Sequence, residues 1–208
     1  MKKYIERFQF ITHDLAGSPH LEQVQKACNA GAKWIQYRCL TKSDNELLSE
    51  INAIAEVCDD WGTTLIVTDH IHLAGKADIQ GFHIEDPEAD PSTLRKELGE
   101  DLTLGYSASN PEDALSLANK GADYIGFGPF ALTLTKPNTA GLITVANYMS
   151  TINKMRDMEL EIPLVAVGGI TLSDVGPLMA TGIYGIAVSS AVNLAEDLEI
   201  AYNAFNNE

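Results

Sequence analysis

The chain has 208 residues and carries 14 basic against 29 acidic side chains, a formal net charge of −15 at pH 7. Nucleic acids and anionic membranes bind basic surfaces, so this charge argues against both as partners. The length suits one domain and lies near the lower limit, about 200 residues, of an eight-unit α/β barrel.

Short runs rich in β-branched and aromatic residues alternate with longer amphipathic segments along the whole chain. The runs predict strands at 8–12, 34–38, 64–67, 81–84, 102–107, 124–127, 164–167 and 183–188. The segments between them predict helices that include 21–30, 43–58, 111–119, 145–155 and 172–180. Because no Asn-Gly hairpin turn joins two runs, the strands should be parallel and linked by right-handed βα crossovers.

One pattern recurs at the junctions between helices and strands. A glycine that ends a helix and leads into a strand stands at Gly31, Gly121 and Gly182, with a weaker copy before Gly81. A repeated βα unit favours a closed barrel over an open sheet with two unlike halves. The first strand also lacks the Gly-x-Gly-x-x-Gly fingerprint of dinucleotide-binding sheets. We therefore predict an α/β protein with a single (β/α)8 TIM barrel over residues 1–208.

Active sites of such barrels lie at the C-terminal ends of the strands. Gly168 and Gly169 follow the seventh strand and Ser189 and Ser190 the eighth, where backbone N–H groups commonly bind phosphate. An acidic protein needs backbone N–H donors at defined positions to bind phosphate, because its overall electrostatic field repels phosphate. The alternative is a tight turn that needs two glycines for its conformation alone.

The longest loop, 128–141, contains a Thr-x-Thr-Lys sequence that ends at Lys136. It fits a lid that closes on a polyphosphate and neutralises its charge, and an ordinary solvated loop is the alternative. Arg38 leaves the second strand, where a guanidinium either grips phosphate or pairs with a neighbouring acid. Asp69 and one acid of the 85–90 loop offer carboxylates for Mg²⁺, although negative charge there also suits a helix start at Asp90.

Histidines near these strand ends have simpler interpretations. His70 and His72 are spaced by one residue and would face apart on a strand, so we expect structural or surface side chains rather than a transition-metal cluster. His83 is expected to be a core histidine. Ser107 has no adjacent histidine along the chain that would make it nucleophilic.

Taken together, the strand ends resemble the thiamine phosphate synthases (thiamine-phosphate pyrophosphorylases), which have the thiazole tautomerases as a sister branch. The resemblance runs from the first strand to the last helix. It is carried by Gln36-Tyr-Arg38, Leu65-Ile-Val-Thr-Asp69, Gly81-Phe-His-Ile84, Leu104-Gly-Tyr-Ser107, Gly121-Ala-Asp-Tyr-Ile-Gly-Phe-Gly-Pro129, Thr133-Leu-Thr-Lys136, Ile162-Pro-Leu-Val-Ala-Val-Gly-Gly-Ile170 and Ala187-Val-Ser-Ser-Ala191.

The resemblance implies a transferase that couples 4-amino-5-hydroxymethyl-2-methylpyrimidine diphosphate with hydroxyethylthiazole phosphate. Pyrophosphate would leave first, in a dissociative mechanism that asks for leaving-group stabilisation and orientation rather than a strong base. It implies Mg²⁺ ligands at Asp69 and Glu88 and catalytic roles for Arg38, Ser107 and Lys136. Further implied substrate contacts are Gln36, Thr68, Thr133, Thr135, Gly168, Gly169, Val188, Ser189 and Ser190.

Departures from the family pattern concentrate in the diphosphate and metal half of this site. Leu40 replaces a usual lysine, and Lys42 lies two residues further on. Thr68 occupies the position of the family's usual asparagine. Glu88 occupies that of the metal-binding aspartate, and Ser109 that of a histidine. The loop before Glu88 also lacks the usual Gly-Gln. The half that would bind thiazole phosphate is intact.

Two other functions remain alternatives. A thiazole tautomerase would isomerise a thiazole phosphate without a diphosphate site, but the histidine missing at Ser109 argues against proton shuttling there. A non-catalytic, thiazole-phosphate-binding regulatory barrel would be consistent with Leu40 and Thr68. Oligomeric state is open, with a homodimer among the alternatives.

Cysteine usage and the N-terminal sequence predict the compartment. The three cysteines are odd in number and share no metal-type spacing, as is typical of reduced thiols. Neither a signal peptide nor an apolar run of about 18 residues is present. We therefore expect a cytoplasmic protein whose partners are small phosphorylated molecules.

Overall fold

The structure, a computed structural model, describes residues 3–133 and 141–208. Its strands are β1 Phe8–Ile11, β2 Trp34–Tyr37, β3 Thr64–Thr68, β4 Gly81–Ile84, β5 Thr103–Ala108, β6 Tyr124–Phe127, β7 Leu164–Val167 and β8 Gly185–Val188. They pair in parallel in chain order, and β1 also pairs with β8, so the sheet closes into a barrel. The predicted (β/α)8 fold is confirmed.

Helices follow the strands around the outside of this barrel. They are α1 His20–Asn29, α2 Asp44–Trp61, α3 Pro91–Leu98, α4 Pro111–Asn119, α5 Val145–Asp157, α6 Leu172–Met179, α7 Ser190–Asn193 and α8 Leu198–Asn206, and a 3₁₀ turn, Ile71–Leu73, follows β3. The helix start predicted at Asp90 is confirmed, because its side chain accepts a hydrogen bond from the Thr93 N–H at 3.1 Å. None of the described helices is long and apolar enough to span a membrane.

The repeated glycine junctions have the conformation that their sequence predicts. Gly31, Gly121 and Gly182 follow α1, α4 and α6 with φ of 91°, 95° and 89°. A residue with a side chain adopts this left-handed region only at a cost, so glycine is favoured where the chain reverses from helix to strand.

Two apolar layers hold the barrel. The larger lies between the strands and the helices, and the smaller fills the barrel interior around Trp34 and Tyr124, whose ring centroids are 4.9 Å apart. Gly105 of β5 leaves room for the Tyr124 ring, since a Cβ there would lie 2.0 Å from Tyr124 Cζ. Above this apolar plug the interior becomes polar, and that is where the candidate site begins.

Candidate active site

A cavity of about 340 Å³ opens at the C-terminal ends of the strands. This volume lies in the range of small-molecule sites. Predicted site residues in its wall are Arg38, Ser107, Thr133, Gly168, Gly169, Val188, Ser189 and Ser190. A larger, more open depression of about 1100 Å³ lies at the other end of the barrel, beside Leu164 and Tyr184, and contains none of them.

The turn after β7 presents backbone to this cavity. Gly168 and Gly169 have φ of 95° and 66°, and a Cβ on Gly168 would lie 2.7 Å from Pro129 Cβ. The turn is therefore packed directly against the loop after β6, whose Ala131 N–H donates to the Gly168 carbonyl at 2.9 Å. The conformation and the close packing both require glycine here. A tight turn that needs glycine and a turn that could bind phosphate are therefore compatible descriptions of this rigid segment.

The turn after β8 forms the adjacent wall. Val188 is buried, and Ser189 and Ser190 are half-buried at the start of α7, a helix of one turn. The Asn193 side chain donates to the Ser189 carbonyl at 3.0 Å and to the Ile11 carbonyl at 2.9 Å. These bonds fix the turn against the end of β1, and Val188, Ser189 and Ser190 line the cavity.

Gln36 and Thr68 lie in the barrel interior and not in the cavity wall. Both are buried, and Gln36 Nε2 donates to Thr68 Oγ1 at 2.9 Å. Gln36 Oε1 is buried and has no hydrogen-bond partner among the described residues. A buried acceptor without a partner is costly, so this oxygen is suited to a ligand that brings a donor.

Ser107 belongs to a buried hydrogen-bonded chain. Gln9 Nε2 donates to the Tyr124 hydroxyl at 3.2 Å, and that hydroxyl lies 2.9 Å from His83 Nδ1. His83 Nε2 lies 2.9 Å from Ser107 Oγ. Which atom donates in each bond depends on the His83 tautomer: if the Tyr124 hydroxyl donates to Nδ1, then Nε2–H donates to Ser107.

This chain corrects the sequence-based expectation that Ser107 has no histidine beside it. His83 is buried, as predicted, but it contacts Ser107 across the β4–β5 pair. In the tautomer with Nε2 protonated, the imidazole orients the serine hydroxyl and does not deprotonate it. That Ser107 is not a nucleophile stays a prediction.

Arg38 is held by an acid at the cavity wall. Its Nε and Nη2 donate to Glu85 Oε1 and Oε2 at 2.9 and 3.2 Å, and both side chains are less than one-fifth exposed. Burial works to lower the pKa of the guanidinium, but the pair with Glu85 raises it above its ordinary value. The geometry is the bidentate one that a guanidinium also uses to bind phosphate.

Glu85 also lies beside the predicted metal ligand Asp69. The Glu85 N–H donates to Asp69 Oδ1 at 2.8 Å, so the two acids share one corner of the barrel mouth. Carboxylate oxygens are the ligands that Mg²⁺ prefers, but here both Glu85 oxygens accept from Arg38 and Asp69 Oδ1 accepts from the Glu85 backbone. Glu88 is exposed in the loop before α3 and is absent from the cavity wall.

Other predicted residues have different outcomes. Thr135 and Lys136 lie outside the described residues, as does half of the predicted lid loop. Lys42, the suggested substitute for the missing lysine, forms an ion pair with Glu50 of α2 at 2.6 Å. Leu40 is 62% exposed and does not line the cavity.

Sequence reasoning missed the roles of Glu85 and His83. The signal for His83 was available, because Gly105 pairs with His83 and Ser107 lies two residues further along the same strand face. Glu85 carried no comparable signal, because its contact with Arg38 depends on the conformations of two loops.

Comparison with known proteins agrees with this geometry. The profile of the thiamine monophosphate synthase family matches residues 8–192. The chain is 35% identical to the thiamine-phosphate synthase of Bacteroides fragilis over 91% of this chain and 93% of that relative. It is 35% identical to thiamine-phosphate synthase 2 of Streptococcus pneumoniae over 89% of this chain and 85% of that relative.

A solved structure supports the same relationship. The thiamine phosphate pyrophosphorylase from Pyrococcus furiosus superposes with a TM-score of 0.83 at 29% sequence identity. The superposition covers 97% of this chain and 94% of that one. On this fold, this cavity and these matches, the chain belongs to the thiamine monophosphate synthase family.

Proposed function

We propose that this chain is a thiamine-phosphate synthase, a transferase that couples 4-amino-5-hydroxymethyl-2-methylpyrimidine diphosphate with hydroxyethylthiazole phosphate and releases pyrophosphate. One observation carries the proposal. A single cavity joins the guanidinium of Arg38, the oriented hydroxyl of Ser107 and the Gly168–Gly169 turn. These are the parts that a diphosphate, a heterocycle and a second phosphate would need within reach of one another.

In this proposal the thiazole phosphate lies at the turns after β7 and β8. Backbone N–H groups of Gly169 and Ser189 would bind its oxygens, and Val188 would contact the ring. These donors are fixed before the ligand arrives, because the β7 turn packs against the β6 loop and Asn193 holds the β8 turn. A rigid donor set costs little to order on binding.

The aminopyrimidine would lie deeper, between β2 and β5. The unpartnered Gln36 Oε1 is suited to accept a hydrogen bond from its exocyclic amino group. In the tautomer in which His83 Nε2–H donates to Ser107, the Ser107 proton is available to donate to a ring nitrogen. Two such hydrogen bonds would fix the plane of the pyrimidine ring while the covalent bond that joins the pyrimidine-methyl group to the diphosphate stretches.

At the diphosphate, Arg38 would exchange partners. Its bidentate pair with Glu85 would be replaced by phosphate oxygens, and the released Glu85 would join Asp69 around Mg²⁺ in place of Glu88. Bound Mg²⁺ would supply positive charge to the departing oxygens. The resemblance to the family assigns Lys136 to the diphosphate, and Thr133 to the diphosphate or the thiazole phosphate. Arg38 would orient and stabilise the leaving diphosphate.

The experiment for the main proposal is a pyrophosphate-release assay with purified protein, Mg²⁺ and both substrates, repeated with each component omitted. We expect release only when all are present, together with thiamine phosphate as the organic product. Conversion of a thiazole isomer without the pyrimidine would instead support a tautomerase. Thiazole phosphate binding without any turnover would support a regulatory barrel.

The partner exchange has its own test in the binding of pyrophosphate by calorimetry, with and without Mg²⁺. We expect Glu85→Gln to bind metal-free pyrophosphate more tightly than wild type, because Arg38 loses its competing carboxylate. The same variant should lose most of the increase in affinity that Mg²⁺ provides.

Glu88→Gln is the matched control, because it removes an acid of the same loop that lies outside the cavity wall. It should behave like the wild type in both titrations. Loss of the Mg²⁺ effect in Glu88→Gln, but not in Glu85→Gln, would restore Glu88 as the metal ligand.

We also propose a cytoplasmic location, which the thiol chemistry supports. Cys28, Cys39 and Cys58 are all free and buried, as is common in reducing compartments. Cell fractionation with an antibody to the chain would test this, and recovery from an oxidising compartment would contradict it.

A further inference from the structure

Metal-binding side chains also meet outside the cavity, where the loop after β3 approaches the start of α2. The cluster consists of Asp44, His70 and His72, and its ligand atoms all lie within 4.8 Å of one another. His72 Nε2 is 3.0 Å from Asp44 Oδ2, and the two imidazole rings are 5.9 Å apart at 78°. None of the three residues lines the cavity.

The backbone after β3 explains why these histidines meet, contrary to the sequence-based expectation that they face apart. Asp69 and His70 both have positive φ, 52° and 46°, and the 3₁₀ turn Ile71–Leu73 follows immediately. Side chains two residues apart face opposite ways only on an extended strand. Here the chain has left the strand, so both rings turn toward Asp44.

The cluster is open to solvent on one side. The side chains of His72 and Asp44 are 48% and 67% exposed, and His70 is half-buried. His70 Nε2 has only a long contact, 3.4 Å, with the Cys39 carbonyl. An ion can therefore reach the ligand atoms, and water can complete its coordination.

We propose that Asp44, His70 and His72 bind one Zn²⁺ ion, or a related late first-row divalent cation, in a site separate from the Mg²⁺–diphosphate group. Two imidazoles select such ions over Mg²⁺ or Ca²⁺, and a carboxylate and water complete a four-coordinate site. Tetrahedral bonds of about 2.1 Å place ligand atoms roughly 3.4 Å apart. Small rotations of the exposed His72 and Asp44 side chains achieve this contraction.

Binding here would join two segments that both lead to the proposed active site. Asp44 begins the helix that follows Arg38 and Leu40, and His70 follows Asp69 directly. An ion that bridges them binds the folded state selectively, so it stabilises the fold in proportion to its affinity. The effect on stability requires no substrate and is independent of the proposed transferase activity.

The experiment is a calorimetric titration of the full chain with Zn²⁺ in excess Mg²⁺, which saturates sites built from carboxylates alone. We expect one ion per chain and a rise in melting temperature. Asp44→Asn and His72→Ala should each weaken binding at least about tenfold, the scale on which metal sites respond to lost support. Asp59→Asn, which removes an exposed acid elsewhere on α2, should match the wild type.

A second cluster of potential metal ligands provides a control for the proposal. Asp14, His20 and Cys39 also place their ligand atoms within 4.8 Å of one another, but His20 and Cys39 are buried. Zn²⁺ binding that survives in a His70→Ala, His72→Ala double variant, or that is lost in Cys39→Ser, would overturn the assignment. Circular dichroism of each variant checks that the barrel is intact. The visible spectrum of bound Co²⁺ reports its coordination geometry, and a thiolate charge-transfer band would point to Cys39 instead.

Discussion

At the scale of single residues, the groups that would meet substrate are held by partners from other strands or strand ends of the barrel. Arg38 is held by Glu85, 47 residues later in the chain, and Ser107 by His83, 24 residues earlier. In both cases the partner fixes one geometry of a side chain that would otherwise sample several. Orientation before binding lowers the entropy that substrate binding must supply.

The buried chain from Gln9 to Ser107 predicts an unequal effect of two tyrosine substitutions. Tyr124→Phe removes the partner of both Gln9 Nε2 and His83 Nδ1, whereas Tyr148→Phe removes one bond, to the Phe127 carbonyl at 2.8 Å. We expect Tyr124→Phe to lower the free energy of unfolding by about 1–3 kcal/mol and Tyr148→Phe by less. Urea denaturation measures both, and equal losses would show that the chain contributes no more than one ordinary bond.

Asp14 predicts a stability effect that depends on pH. Burial alone would raise its pKa, but bonds from the Leu40 N–H, His20, Cys39 and Thr41 outweigh burial and lower it from 3.8 to about 2. The folded state therefore favours the carboxylate, and this stabilisation is complete above pH 3.8 and is lost as the pH falls toward 2.

We accordingly expect Asp14→Ala to be less stable than wild type at pH 7, with a difference that shrinks between about pH 4 and 2. Urea denaturation across this range would measure it. Asp59→Ala, in which an exposed acid is removed, serves as the control and should show no such convergence. A difference that is constant with pH would mean that Asp14 stabilises the loops without its charge.

At the scale of elements, the sequence predicted the strands well and the short helices poorly. Buried parallel strands are continuous β-branched or aromatic runs, so all eight were found with ends displaced by at most two residues. α7 was missed because Ser190–Asn193 is one turn, too short for any periodicity. α8 follows α7 closely, and no glycine or proline marks a boundary between the two helices in the sequence.

The candidate site was predictable to the extent that barrel topology determines it. Because the loops after β7 and β8 of such barrels commonly bind phosphate, the sequence was enough to predict that Gly169 and Ser189 line the cavity, as they do. An ion pair of Arg38 with an acid was one of two alternatives from the sequence, but its partner Glu85 was not predicted, since the two come together only through loop conformations. The His70–His72 contact was mispredicted because the left-handed residues after β3 cannot be inferred from a sequence without glycine there.

A substitution in the turn after β7 tests whether its backbone conformation matters for stability and for substrate binding. Gly168→Ala adds only a methyl group, but it would lie within 2.8 Å of Pro129 Cα at a φ of 95°. We expect a lower melting temperature and a higher KM for the thiazole phosphate, because the backbone donors move. Gly176→Ala in α6, where nothing lies within 4 Å, should be neutral or stabilising by about 0.5–1 kcal/mol.

At the scale of the whole molecule, the net charge of −15 acts against its own proposed substrates. Both are anions, so diffusional encounter should be slowed by the field of the protein and assisted by salt, which screens it over about 8 Å at physiological ionic strength. We expect kcat/KM at constant Mg²⁺ to rise as KCl is added from low ionic strength. A steady fall would instead mean that the local field of Arg38 and Lys136 dominates capture.

The pairing of β1 with β8 has a consequence for how the chain is made. Phe8 and Phe10 find their partners in Ile186 and Val188, which leave the ribosome last among the strands. Until then a nascent barrel presents two unpaired edges, on β1 and on the newest strand, and such edges invite association with other chains. Synthesis of this protein therefore has a vulnerable interval that ends only when the final strand emerges, and chaperones that shield strand edges would act in that interval.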